Sequence, residues 1–245
     1  TTTNAASFNN VNVSGRCTGC TFQANTDSIT LLRASSQTLS IADNASLSIT
    51  GNMTVEGWFM RGITAGAVND AIIGKHNEPG NQRSWVLYQA GGGNNNIMTF
   101  VISADGAAYT ALKVESQLAT STWTHFAFVY TAASGQVETY NNGLLASTIT
   151  GFPTSIYDGT AAFRIGDDDG TFTNWNGMVD DVRIWNVART AAQIANNYQF
   201  QLLGTESGLV GYWKLNTNSN DSTANGNNLT NNNGAAYSSS TPIFK

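Results

Sequence analysis

The stretch 161–189, AAFRIGDDDGTFTNWNGMVDDVRIWNVAR, contains two predicted strands, an acidic loop and the approach to a helix. Its first strand, 163–166, leads directly into Asp167, Asp168 and Asp169. Three adjacent carboxylates repel one another. The loop is therefore either well solvated or neutralised by a cation.

The second strand of this stretch, 178–185, carries a carboxylate on each face. Side chains alternate along a strand. Alternation places Met178, Asp180, Val182 and Ile184 on one face and Val179, Asp181, Arg183 and Trp185 on the other. A buried carboxylate must bind a metal, pair with a cation or accept hydrogen bonds.

The rest of the chain repeats short alternating strands separated by turns. The clearest hairpin joins 137–140 to 144–148 through Asn142-Gly143, a pair suited to a type I′ turn. One helix is predicted from Ala191 to about Phe200, capped by Thr190 and ended by Gly204. These patterns predict an all-β, antiparallel two-sheet jelly-roll sandwich with one short helix near residues 190–200.

Four stretches carry a family resemblance. They are MTVEGWFM (53–60), WTHFAFVY (123–130), NGMVDDVRIWNVARTAAQI (176–194) and GLVGYWKL (208–215). In this order they resemble the laminin-G-like, pentraxin-type jelly rolls of the concanavalin A-like lectin/glucanase superfamily. The resemblance covers residues 27–245 and supports the sandwich fold. That superfamily includes enzymes, lectins and structural modules, so the fold alone leaves the function open.

Composition excludes several partners. Charged residues make up 11% of the chain and the net charge is −5, with 11 Lys and Arg. No basic patch for nucleic acid or an anionic membrane is visible. No apolar run approaches 18 residues, so no membrane insertion is expected. The low charge and the abundance of Asn, Ser, Thr and Gly are common in extracellular and cell-surface β-proteins.

Two regions are predicted. Residues 1–26 form a polar extension or linker that leads to an upstream module, and residues 27–245 form the jelly-roll domain. The cysteines are Cys17 and Cys20, in RCTGC. A lone CxxC is weak support for zinc, and a short disulfide loop in an oxidising compartment is favoured.

No catalytic carboxylate pair is visible. Retaining glycosidases place two carboxylates about 5–5.5 Å apart. The glucanase branch carries an E-x-D-x-x-E strand that this sequence lacks, and Glu56 stands alone on its strand. Adjacent Asp180 and Asp181 should lie on opposite faces. His125, within an aromatic strand, is interpreted as a core histidine. The chain is therefore predicted not to be an enzyme.

A structural calcium ion at the rim of the sandwich is implied by the resemblance. Asp180 aligns with a ligand in the family's strand motif, and Asp221 lies in DSTANGN, which resembles the family's D-x-x-G-N-G-N loop. The alternative is that Asp180 pairs with Arg183 or caps a turn. The loop 167–170 lacks EF-hand spacing. It is a second cation or sugar loop, or a solvated turn.

The predicted ligand-binding residues surround a tryptophan in a polar loop. Trp175 is expected to be exposed and to stack on a sugar, with hydrogen bonds from neighbouring polar groups; the alternative is that it packs within its loop. The complete set is Trp175, Asn174, Asn176, Asp168 and His76. The other five tryptophans, Trp58, Trp85, Trp123, Trp185 and Trp213, are interpreted as core residues on strands.

The leading hypothesis is a non-catalytic extracellular module that binds carbohydrate or mediates adhesion, with calcium at the rim. The alternative is a structural or decoration module of a surface appendage or virion. Such a module would pack against copies of itself and attach through residues 1–26. A third reading is a divergent glycosidase with carboxylates from separate strands.

Overall fold

The computed structural model describes residues 10–11, 17–18, 25–62, 69–90, 97–170 and 172–244. Its strands are β1 (Asn10–Val11), β2 (Cys17–Thr18), β3 (Ser28–Leu31), β4 (Thr38–Ile41), β5 (Met53–Arg61), β6 (Asp70–Lys75), β7 (Trp85–Gln89), β8 (Ile97–Ile102), β9 (Thr110–Gln117), β10 (Thr124–Thr131), β11 (Gln136–Asn141), β12 (Leu144–Thr150), β13 (Phe163–Ile165), β14 (Thr173–Asn174), β15 (Gly177–Trp185), β16 (Leu209–Trp213), β17 (Thr230–Asn232) and β18 (Ala236–Ser238). The helix is α1 (Ala191–Asn197).

Two eight-stranded sheets form the domain. The first sheet has the order β12-β11-β10-β5-β15-β3-β18, with β16 paired to β15. The second sheet has the order β17-β4-β13-β6-β7-β8-β9, with β14 paired to β6. The named strand pairs of both sheets are antiparallel except the two-residue β14–β6 pair, which is parallel. This architecture confirms the predicted two-sheet sandwich.

The core lies between the two sheets. Alternate residues of β5, including Met53, Val55 and Phe59, face the core and are almost completely buried. Across the sandwich, Phe163 stacks on Trp213 with ring centroids 5.0 Å apart. Burial of these side chains stabilises the fold through the hydrophobic effect, at about 1.5–3 kcal/mol for each large apolar side chain.

A β-bulge interrupts β15. Asp180 pairs with Trp58 and Arg183 pairs with Glu56, so β15 has one extra residue between these two pairs. Asp181 takes the left-handed conformation that accommodates it, with φ +50°. Val179, Val182 and Ile184 face the core, whereas Asp180, Asp181, Arg183 and Trp185 lie outside it. The prediction that Asp180 and Asp181 lie on opposite faces is therefore wrong.

The predicted helix and hairpin are present. Thr190 caps α1, and its Oγ1 accepts the N–H of Gln193 while the Gln193 side chain accepts the N–H of Thr190. The helix ends at Asn197, earlier than predicted. Asn142 and Gly143 both take positive φ, +49° and +82°, between β11 and β12, as a type I′ turn requires.

Part of the predicted extension lies outside the described residues. Strands β1 and β2 pair with each other, and the Asn25 Nδ2 group donates a 2.7 Å hydrogen bond to Asp180. The predicted Cys17–Cys20 disulfide includes Cys20, which lies outside the described residues. Within the described ranges, no helix is long and apolar enough to cross a membrane.

Candidate functional site

Two of the predicted ligand-binding residues lie together. His76 follows the end of β6, and Asp168 lies in the loop after β13. His76 Nδ1 lies 3.4 Å from Asp168 Oδ2, and the two residues are 2% and 1% exposed. The two side chains thus form a buried pair, which can support a ligand surface but cannot itself contact a ligand.

The acidic loop folds back towards the outer face of the second sheet. Asp168 Oδ1 accepts the N–H of Phe172 at 2.9 Å. This contact positions the half-buried Phe172 ring, which stacks on Tyr88 with centroids 4.4 Å apart and planes 18° apart. The Phe172 ring also lies near the His76 ring, with centroids 6.1 Å apart. The result is an aromatic surface of Phe172 and Tyr88 above the His76–Asp168 pair.

Arg164 and Asn77 bind two carboxylates of the acidic loop. Arg164 Nη2 lies 2.9 Å from Asp169 Oδ1, and Arg164 Nη1 lies 3.4 Å from Asp167 Oδ2. Asn77 Nδ2 donates to the other oxygen of Asp169 at 2.6 Å. Burial raises the pKa of Asp167 more than Arg164 lowers it. These contacts tie the loop to β13 and to Asn77, the residue after His76.

The remaining predicted residues lie elsewhere. Trp175 is fully buried in the core. Arg33 holds the residues on either side of it, since its Nε donates to Asn174 O at 2.9 Å and its backbone N–H donates to Asn176 Oδ1 at 3.2 Å. Alternation therefore turns Trp175 inward between two outward Asn residues. The prediction that Trp175 is exposed is wrong, because a fully buried ring has no face open to a sugar.

The five tryptophans interpreted as core residues differ in their burial and in the face of the sheet on which they lie. Trp85, Trp185 and Trp213 are at most 2% exposed. Trp58 is 5% exposed but lies on the outer face of the first sheet, and Trp123 is half-buried just before β10. The core interpretation is therefore confirmed for Trp85 and Trp213, whereas Trp58 and Trp185 are buried on the outer face of the first sheet, and it is wrong for Trp123.

A buried ionic cluster lies on the outer face of the first sheet. Glu56 Oε1 is 3.6 Å from Arg183 Nη1 and 3.8 Å from Arg189 Nε, and it accepts the indole N–H of Trp185 at 2.9 Å. Arg183 also forms an ion pair with Asp181. Two carboxylates and two guanidinium groups thus balance each other, as burial of charge requires. Sequence patterns did not predict this cluster, because Glu56 lies far along the chain from Asp181, Arg183 and Arg189.

In this cluster, burial and ionic attraction shift the pKa values in opposite directions. Burial raises the pKa of Glu56, but attraction to Arg183, Arg189 and His125 and the hydrogen bond from Trp185 together outweigh it, so the pKa lies below its usual value. Burial lowers the pKa of His125 to about 3 although Glu56 raises it. His125 Nε2 lies 3.5 Å from Glu56 Oε2. His125 is therefore neutral at pH 7, and it is buried as predicted, but on the outer face of the first sheet rather than in the core between the sheets.

The two predicted calcium ligands differ in their fit to a cation. Both oxygens of Asp221 accept hydrogen bonds from the chain, from the N–H groups of Tyr212, Thr223 and Asn227 and from the Thr223 hydroxyl. Asp180 Oδ2 accepts from Asn25, but Oδ1 has no hydrogen-bond partner in the described part of the chain. Burial, followed by repulsion from Asp181, raises the pKa of Asp180 well above its usual value.

Asp180 therefore has one oxygen that fits a cation, whereas Asp221 organises its own loop. Across the described residues, no group of three or more His, Cys, Asp and Glu side chains is placed to hold a metal.

A cleft of about 420 Å³ opens on the outer face of the first sheet. Trp58, Trp123 and Tyr198 supply its aromatic walls. The remaining lining residues are uncharged: Asn142, Gln199, Thr241, Pro242 and Ile243.

The fold and these surfaces define a concanavalin A-like jelly roll. Residues 33–195 match the Laminin_G_3 family of the Concanavalin A-like lectin/glucanases superfamily, and the chain belongs to that family. No curated protein sequence matches the chain.

Several solved structures share the fold. One, described as a candidate carbohydrate binding protein from Bacteroides ovatus ATCC 8483, has a TM-score of 0.67 and 21% identity over 89% of this chain. The chain spans 61% of the length of that protein. A heptameric SAP-like pentraxin from Limulus polyphemus has a TM-score of 0.57 and 12% identity, covering 88% of this chain and 96% of its own.

Domain 4 of AbnA, a GH43 extracellular arabinanase from Geobacillus stearothermophilus, in complex with arabinotriose, has a TM-score of 0.53 and 19% identity. The match covers 70% of this chain and 76% of that domain.

Proposed function

We propose that this protein is a non-catalytic extracellular module that binds carbohydrate or mediates adhesion. Its ligand surface is the stacked pair Phe172–Tyr88 with the polar groups of Asn77 and Asp169 beside it. The single observation that carries the proposal is this stack, with centroids 4.4 Å apart, held over the buried His76–Asp168 pair.

The chemistry of this surface suits a sugar. A pyranose presents a C–H face that packs on a flat ring and hydroxyl groups that need donors and acceptors at its edge. The half-buried rings supply the flat surface, and Asn77, Arg164 and Asp169 supply the polar edge. The relatives described as carbohydrate binding and as bound to arabinotriose support this choice of ligand class.

Burial of the carboxylates on the outer face of the first sheet supports a non-catalytic role. Glu56, Asp180 and Asp181 are each 0% exposed on the outer face of the first sheet. A glycosidase must bring its two carboxyl groups into contact with the scissile bond. These three cannot reach a substrate in this arrangement.

The proposed module includes one calcium ion, with Asp180 Oδ1 as a ligand. What supports it is a buried carboxylate oxygen without a partner in the described chain. When bound, Ca²⁺ would supply charge neutralisation at this oxygen.

A glycan array, run with excess Ca²⁺ and again with chelator, tests the proposed function. We expect selective binding that falls at least about tenfold in Phe172→Ala, which removes one ring of the stack. Leu144→Ala, which alters a 74% exposed residue on the first sheet, is the matched control and should bind normally. A blank array with the unaltered protein contradicts the proposal.

A second candidate function is a structural module that associates with copies of itself. The observation that favours it is β12, an edge strand with the uncharged sequence LLASTIT, on which Leu144 and Leu145 are 74% and 56% exposed. Such an edge lacks the charges that usually prevent strands from pairing between molecules. Light scattering tests this candidate. Self-association that Leu145→Lys abolishes supports it, and a monomeric unaltered protein contradicts it.

A further inference from the structure

The cleft on the first sheet has a rigid aromatic wall. The Trp58 indole N–H donates to Tyr198 O at 3.0 Å, which fixes the ring in place. The His125 ring meets Trp58 edge-on, with centroids 5.5 Å apart and planes at 72°. Tyr198 and Phe244 each lie 6.0 Å from it between centroids. A side chain packed on several sides keeps its geometry without a ligand, which reduces the entropy lost on binding.

The opposite parts of the cleft supply a second ring and hydrogen-bonding groups. Trp123 is half-buried, and its ring lines the cleft. The Asn142 Oδ1 atom accepts the N–H of His125 at 2.9 Å, which leaves the Nδ2 group of that exposed side chain for a ligand. Gln199 adds a second carboxamide to the lining.

The absence of charge in the lining defines the ligand class. All eight lining residues are uncharged. A charged ligand would lose hydration there without gaining an ion pair. Flat rings beside carboxamides suit a neutral ligand with one apolar face and many hydroxyl groups. The volume of about 420 Å³ falls within the usual range for small-ligand sites.

We propose that this cleft is a second ligand site, for a neutral saccharide, on the opposite face of the sandwich from the Phe172–Tyr88 surface. The half-buried Trp123 packs on the sugar ring, the largely buried Trp58 lines the cleft beside it, and the carboxamides of Asn142 and Gln199 hydrogen-bond the sugar hydroxyl groups. The inference goes beyond the proposed function, because it concerns the other sheet and residues that the first surface does not use.

Titration by two-dimensional ¹H–¹⁵N NMR tests the proposal at the cleft itself. The probes are four neutral oligosaccharides: arabinotriose, xylotriose, cellotriose and maltotriose. The chain has 6 tryptophans, and the indole N–H signals of Trp58 and Trp123 are assigned from the spectra of Trp58→Phe and Trp123→Phe. We expect at least one probe to shift both signals in a saturable manner.

Variants then separate the cleft from the first surface. We expect Trp123→Ala to raise the Kd measured at the Trp58 signal about tenfold, and Trp123→Phe, which keeps a flat ring, to raise it less. Asn142→Ala should also weaken binding, and it leaves both aromatic walls intact. Phe172→Ala, the matched control on the second sheet, should leave the cleft titration unchanged.

Each outcome decides between the two sites. Shifts confined to signals around Phe172 overturn the cleft proposal and support the proposed function. Shifts confined to Trp58 and Trp123 support the cleft and contradict the first surface. No shift with any probe at about 10 mM overturns the cleft proposal, since weaker binding corresponds to less than about 3 kcal/mol. The glycan array then decides the proposed function separately.

Discussion

The His125 ring lies edge-on against the Trp58 ring, with centroids 5.5 Å apart and planes at 72°. The same histidine lies 3.5 Å from Glu56, at the edge of the buried ionic cluster. His125 therefore connects the charges beneath the helix to the aromatic wall of the cleft.

We predict that stability falls as the pH falls from about 6.5 towards 3. Burial lowers the pKa of His125 to about 3 in the folded protein, below the 6.5 of an exposed histidine. Between these values the unfolded chain binds a proton that the folded protein does not, so acid favours unfolding. One proton contributes about 1.4 kcal/mol per pH unit.

Chemical denaturation between pH 4 and 7 measures this slope. His125→Gln removes the titrating group and should flatten the slope by about one proton, while the remaining carboxylates titrate as before. An unchanged slope in the variant contradicts the prediction.

We predict that Trp175→Ala mainly destabilises the fold. Removing a fully buried tryptophan leaves a cavity and should lower the free energy of unfolding by about 3–5 kcal/mol. Trp123→Ala, at a half-buried ring, should cost less and serves as the comparison in urea unfolding. A Trp175→Ala protein of normal stability with lost sugar binding would restore the stacking role that the sequence suggested.

The Asp168 carboxylate should act by holding Phe172. Asp168→Asn keeps an oxygen that can accept the Phe172 N–H, whereas Asp168→Ala removes it. We therefore expect Asp168→Ala to weaken glycan binding more than Asp168→Asn does. Calorimetric titration of both variants with the best glycan from the array provides the measurement. Equal losses of glycan affinity in the two variants would indicate that the negative charge of Asp168 beside His76, rather than its hydrogen bond to Phe172, supports binding.

The sequence predicted the sandwich because its signals are local. Alternation over β5 and β10, the Asn142-Gly143 turn and the Thr190 cap each act within a few residues. The site depended on features that alternation alone does not reveal. The bulge at Asp181 places Asp180 and Asp181 outside the core together. Trp175 has polar neighbours in the sequence, yet Arg33 holds those neighbours at the surface and turns the ring inward.

Glu56→Gln should destabilise the protein strongly. The substitution leaves Arg183 and Arg189 without one of their two carboxylates in a buried site, which costs about 3–5 kcal/mol. Glu78→Gln, which breaks the partly exposed ion pair with Arg83, should cost less than about 1 kcal/mol. Thermal unfolding of the two variants compares them directly, and similar losses would show that the buried cluster contributes little.

Calcium should act through Asp180 rather than Asp221. We expect excess Ca²⁺ to raise the melting temperature and Asp180→Asn to abolish that rise. Asp221→Asn should lower the melting temperature equally with Ca²⁺ and with chelator, because its oxygens already bind four chain donors. Calorimetric scans of the three proteins make the comparison. If Ca²⁺ leaves the melting temperature of the unaltered protein unchanged, the proposed calcium site is excluded.

Strands β3 and β18 pair so that Ser28 faces Ser238 and Thr30 faces Ala236. In this antiparallel pair the start of β3 and the end of β18 lie at the same end. A tension applied through residues 27 and 239 therefore breaks the hydrogen bonds of the pair one after another, starting from that end. Strands pulled in this geometry separate at lower force than strands that must slide past each other. Under mechanical load, the β18 edge should detach first while β3 stays paired with β15.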